Sequence, residues 1–108
     1  MNRKVSCASL AGIVLALLAT AIAAALDVPP LRGRVNDYAG VMSQDQVRSL
    51  ESRLAQFEQE TGHQVAVLTI PTLDGEDIEG FSIRVAENWK IGKKGVDNGV
   101  ILVVAIKD

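Results

Sequence analysis

Cysteine is almost missing from this sequence. Cys7 is the only one, and it lies ahead of the longest apolar run, not behind it, where a lipid-modified cysteine belongs. Histidine is equally scarce. His63 alone excludes a two-histidine metal centre and leaves no basis for a Ser-His-Asp triad. Its place directly after Gly62 suits the negative end of a helix dipole. Positive charge is also in deficit, with 11 Lys and Arg against 13 Asp and Glu.

Charge of either sign is absent from residues 10–26, which hold Ala, Leu, Ile, Val, Gly and one Thr behind a short basic head containing Arg3 and Lys4. Such a head, apolar stretch and run of small residues reads as a secretory signal peptide over residues 1–25. Both Ala21-Ile22-Ala23 and Ala23-Ala24-Ala25 offer small residues to a signal peptidase, so the expected cut follows Ala23 or Ala25. The alternative is an uncleaved anchor touching the membrane through residues 5–26, since about 17–25 apolar residues span a bilayer. Either way the remainder is expected to be exported, to the periplasm or to the outer side of a membrane.

Without its leader the chain has no thiol, hence no disulfide, no thiolate nucleophile and no zinc-cysteine site. The leader removes Arg3 and Lys4 and no acid, so the remainder stands at 9 − 13 = −4. That balance gives no basic footprint for nucleic acid.

Residues 26–34, "LDVPPLRGR", hold two prolines and a glycine and read as an extended linker. In "VNDYAG", residues 35–40, Asn36 and Asp37 are turn formers whose side chains can bond nearby backbone, so a short extended segment followed by a turn is expected. Ser43 with Gln46 three residues on is a capping box. Val47, Leu50, Leu54 and Phe57 then recur at helical spacing, with Glu51 and Glu58 assigned to the polar face, over a helix from 44 to 61 stopped by Gly62. Runs 64–70 and 99–106 are strand-forming and do not alternate, so both are expected to be buried on two faces. Between them, Ile78, Phe81, Val85 and Trp89 form one stripe of a helix over 76–89. Strand, helix, strand in this order is a βαβ unit with parallel strands.

Candidate sites are few. The loop "GKKGVDNG", residues 92–99, enters a strand at its amino end, and α/β sheets bind ligands at carboxyl ends, so the residues alone make it a connector. "GKKG" lacks the remaining positions of a phosphate-binding P-loop. "DGEDIE", residues 74–79, lacks the ligand spacing of a calcium loop and is explained by carboxylates at a helix start.

Three segments in order, "VPPLRGRVNDYAGVMS" (28–43), "ETGHQVAVLTIPTL" (60–73) and "ENWKIGKKGVDNGVILVVA" (87–105), together resemble the amino-terminal part of a TPM domain, a family named for thylakoid, phosphatase and membrane members. The resemblance implies an α/β/α layered sandwich and a partial TPM domain over residues 35–108. It also implies a calcium or magnesium site, with Asp37, Asp97 and Asn98 as the positions carried over, and no organic cofactor. Hard oxygen donors suit those cations.

Two functions follow from the resemblance. One is an acid phosphatase like that of a plant thylakoid member, in which a metal with Lys93 or Lys94 neutralises phosphate and Asp37 or Asp97 acts as nucleophile or base. The other, preferred here, is a non-catalytic module of the cell envelope that binds a cation and an envelope or membrane protein. Family members continue beyond the "GVILVVA" strand into a partner strand with a Gly-Tyr-Gly-Leu-Glu turn. The resemblance therefore implies a domain truncated on its C-terminal side, a fragment or the product of a shortened gene.

Overall fold

The computed structural model describes residues 25–92 and 98–108. Three strands, β1 (Val35–Asp37), β2 (Gln64–Ile70) and β3 (Gly99–Ala105), alternate with two helices, α1 (Gln44–Thr61) and α2 (Ile78–Trp89). The strands form one parallel sheet in the order β1-β2-β3. Register runs through all three: Asp37 pairs with Thr69, which pairs with Val104. The parallel βαβ reading from the sequence holds.

Because side chains alternate across a strand, β2 splits its residues between two layers. Ala66, Leu68 and Ile70 join Phe81, Val85 and Trp89 of α2 in the main core, with Phe81, Val85 and Leu68 fully buried. Val67 and its β1 partner Val35 point the other way, where α1 packs on β1 and β2. Thus β2 is buried on both faces, as its continuous apolar sequence requires.

For β3 the expectation of two buried faces fails. Ile101, Val103 and Ala105 pack against the main core, but Val100 and Leu102 on the other face are 57% and 54% exposed. The reason is reach: α1 lies over β1 and β2, so among the described residues no layer covers that side of β3. The helices need similar refinement. Ser43 caps α1 through the anticipated reciprocal bonds with Gln46, and Gly62 ends it in the left-handed conformation at φ 77°. Yet no residue of α1 is fully buried, and Phe57 at its last turn is exposed beside the His63 ring. Helix α2 begins at Ile78, with the Asp77 carboxylate capping the Gly80 N–H, and Ile78 itself is exposed.

Residues 26–34 carry no regular secondary structure and are docked on the domain. Leu26 and Val28 pack on the main core. Trp89 Nε1 donates to the Pro29 carbonyl at 2.9 Å, and the Tyr38 hydroxyl donates to the Pro30 carbonyl. Trp89 is therefore both core filler and anchor for the incoming chain, which satisfies its indole N–H.

Candidate functional site

The carboxyl ends of β1 and β2 are where a parallel sheet presents ligand sites, and Asp37 lies there. Its carboxylate is engaged by the loop that follows. Thr69 Oγ1 donates to Asp37 Oδ1 at 2.5 Å, Val41 N to the same oxygen at 3.2 Å, and Met42 N to Oδ2 at 2.9 Å. The neighbouring N–H groups are satisfied in turn: Tyr38 N by the Thr69 carbonyl, Ala39 N by Thr69 Oγ1, Gly40 N by the Asp37 carbonyl, and Ser43 N by Gln46. Six consecutive amides from 38 to 43 thus have partners, a complete accounting for a loop that enters a capped helix.

Asn36 does the corresponding work on the incoming side. It is 3% exposed, accepts from Arg32 N and Gly33 N, and donates to the carbonyls of Gly33 and Val67. Side chains that bond nearby backbone were legible at 36 and 37, and the short extended segment expected there is β1, with the expected turn at 38–39 after it.

The Thr69 hydroxyl, opposed by partial burial and aided by the Met42 and Val41 amides, holds the Asp37 carboxyl below its ordinary value. A carboxyl lowered on folding contributes stability that is fully present above its unfolded pKa, near 3.9. That contribution is lost as pH falls through the folded value. Acid titration followed by circular dichroism should show the Asp37→Asn variant losing less stability than the wild type below about pH 4. Equal acid limbs would remove the loop from Asp37's control.

An open cavity of about 450 Å³ lies between this loop and the start of α1, lined among others by Arg32, Asp37, Tyr38, Met42, Val47 and Arg48. The Arg32 guanidinium lies 5.1 Å from the Tyr38 ring centroid, and Arg48 pairs with Asp45 on the surface. The lining thus sets Arg32 and Arg48 beside the Asp37 carboxylate, with the Arg48 charge already met by Asp45.

The other carried-over residues lie elsewhere. Asn98 precedes β3 and Asp37 ends β1; Gly99 pairs with Gln64, and Asp37 with Thr69. At roughly 3.3 Å per residue, the two are separated by roughly 20 Å along the sheet, so no ion can take both at oxygen-ligand distances of about 2.4 Å. Asp97, Lys93 and Lys94 fall outside the described residues. Asn98 Nδ2 donates to the Gly62 carbonyl, and its own carbonyl accepts from Gln64 N at 2.9 Å. Among the described residues no three His, Cys, Asp or Glu side chains form a group able to hold a metal.

The neck of the 92–99 loop explains two glycines. A Cβ on Gly99 would lie 2.7 Å from the Ile91 carbonyl oxygen, and one on Gly92, at φ 88°, would lie 2.8 Å from Gly99 N. Backbone meets backbone there with no room for a side chain.

The family model of the TPM domain matches residues 35–108, more than half of the chain. The chain belongs to the TPM domain family. No curated protein matches it. The match starts at β1, so the TPM domain here comprises all five described elements, while the docked segment 26–34 precedes it. Among the described residues no helix is long and apolar enough to cross a membrane; the apolar run of the leader lies outside them.

Sequence reasoning missed Glu51 and Glu58. Both were assigned to the polar face of α1, yet Glu51 accepts from Arg34 N at 3.0 Å, Val35 N at 2.9 Å and the Arg34 guanidinium at 3.3 Å. Glu58 takes the other guanidinium nitrogen at 3.0 Å. Burial raises the Glu51 pKa, and these donors more than offset it, leaving the group below its ordinary value and ionised at neutral pH.

Proposed function

We propose that this TPM-domain protein is exported to the cell envelope and works there as a divalent-cation-binding interaction module, without hydrolytic turnover. The observation that carries the reading is the state of Asp37, whose carboxylate oxygens already accept from Thr69, Val41 and Met42. A carboxylate spent on holding its own loop is poorly placed to act as nucleophile or general base.

The cation, Ca²⁺ or Mg²⁺, is then assigned to Asp97 and Asn98 at the amino end of β3, without Asp37. Support for that end comes from the family resemblance and from the oxygen-donor character of the two side chains. The leader-like pattern of residues 1–25 supports export, to the periplasm or to a membrane-anchored position outside the cytoplasm. The exposed strip of Val100, Leu102 and Val104 suits an envelope or membrane protein as partner.

One observation favours phosphatase action instead: Arg32 and Arg48 line the cavity beside Asp37, where guanidinium groups could neutralise a phosphoryl oxygen. Hydrolysis of a generic phosphomonoester, measured from acid to neutral pH with calcium or magnesium present, separates the two. The module reading expects no turnover above buffer. Turnover that disappears in Asp37→Asn would establish the hydrolase.

A further inference from the structure

The peptide unit at Leu26 is gripped from both sides. Its N–H donates to Glu76 Oε1 at 3.1 Å, and its carbonyl accepts from an Arg84 guanidinium nitrogen at 2.8 Å. The same nitrogen pairs with Glu76 Oε2 at 2.8 Å, which closes a ring of contacts around residue 26. The Leu26 side chain packs on the main core, whereas Ala25, one residue earlier, is exposed. Among the described residues, docking of the incoming chain therefore begins at Leu26, and the sequence before it includes Ala23 and Ala25 at the spacing a signal peptidase reads.

We propose that a signal peptidase cuts between Ala25 and Leu26, and that the α-ammonium so released pairs with the Glu76 carboxylate and, with Arg84, seats the mature N-terminus against α2. This inference rests on the export reading. In the step, water adds across the Ala25–Leu26 peptide bond: its oxygen bonds to the Ala25 carbonyl carbon as the C–N bond breaks, the leader leaves as the Ala25 carboxylate, and both protons of the water end on the Leu26 nitrogen, giving the ammonium. The new amine, with an ordinary pKa of about 7.7–8, is largely protonated at neutral pH.

The site is matched to that charge. Arg84, with the Leu26 N–H, holds Glu76 below its ordinary pKa against the opposing effect of burial, so Glu76 is anionic at neutral pH. Before cleavage Glu76 meets one guanidinium and one amide dipole; afterwards it lies between two cations, and the nitrogen of Leu26 has three protons to donate. Cleavage after Ala23 would carry the charge two residues past Glu76. The peptidase needs residues around its cut extended and accessible, whereas Leu26 is docked, so cleavage precedes docking. The acidic stretch at 74–79 thereby divides its labour: Asp77 caps α2, and Glu76 receives the chain start.

The test is to express the full chain in a bacterial host and determine the N-terminus of the protein recovered from the envelope fraction. A first residue of Leu26 is expected. An exported protein beginning at Ala24 or anywhere else overturns the inference and leaves export standing, whereas retention in the cytoplasm with the leader intact sinks both. A second readout addresses the ion pair. A carboxylate that raises the amine pKa by about one unit lowers its reactive free-base fraction about tenfold. Labelling of the Leu26 amine by an acylating reagent near pH 7 should therefore be about tenfold slower in the wild type than in Glu76→Gln. Should that variant not fold, native wild type compared with wild type in denaturant reads the same protection. Equal rates in these comparisons would show that Glu76 does not hold the amine.

Discussion

Phe81→Ala is expected to leave the protein largely unfolded at 37 °C. Phe81 is fully buried where α2 meets Leu68 and its neighbours on β2, and the small domain offers few other large side chains to close the gap. Truncations of this kind cost about 3–5 kcal/mol, against a total stability on the order of 5 kcal/mol for a domain at the lower end of the usual range. Thermal melting by circular dichroism checks it. A midpoint within about 5 °C of the wild type, a shift worth roughly 1 kcal/mol in a domain this size, would mean that α2 is not seated as described. The loss should also release the amino-terminal segment, because Trp89 and Arg84 grip it from the same helix.

Glu51→Ala is the second large effect, and its size comes from geometry that a surface glutamate does not usually have. One carboxylate receives the backbone amides of two successive residues, Arg34 and Val35, together with the Arg34 side chain. Hydrogen bonds to a charged acceptor contribute about 1.5–3 kcal/mol each when sheltered. Glu51 is 32% exposed, so solvent screening reduces the sum, and a loss of about 2–3 kcal/mol is expected. Glu58→Ala is the control. It removes one partly exposed ion pair while Arg34 keeps Glu51, and should cost no more than about 1 kcal/mol. Chemical denaturation of both variants distinguishes them; equal losses would mean that the backbone contacts of Glu51 carry little.

These positions show what could be read from the sequence and what could not. Caps, apolar stripes and the proline-terminated β2 are local signals, and α1, β2 and α2 fall within two residues of where the periodicity puts them. The inward role of Glu51 is not local. A helical wheel sorts charged residues outward, and nothing in residues 44–61 reveals that the amides opening β1 need an acceptor from this helix. The open face of β3 was hidden for a similar reason: continuous apolar sequence records what a strand can bury, whereas the position of α1 decides what it does bury. The separation of Asp37 from Asn98 was legible in principle. In a parallel sheet a residue that ends one strand and a residue that precedes another lie at opposite ends, and the βαβ order already contained that fact.

Asn36 and Asp37 gain a physical meaning from the same geometry. Asn36 fixes the chain entering β1, and Asp37 fixes the chain leaving it, so the pair sets the path from the docked amino-terminal segment to the capped start of α1. A role in loop holding also accounts for Thr69, the threonine in an otherwise apolar stretch of β2, whose hydroxyl donates to Asp37 and accepts from Ala39.

The measurement that tests the account most directly is calorimetric titration of the purified mature protein with calcium, repeated on Asp37→Asn and Asp97→Ala. The account predicts that Asp37→Asn retains the wild-type affinity while Asp97→Ala loses it, because the proposed site is assigned to Asp97 and Asn98, and Asn98 lies at the end of the sheet opposite Asp37. Loss of calcium binding in Asp37→Asn with the fold intact, and its retention in Asp97→Ala, would contradict it and return the cation to the arginine-lined cavity.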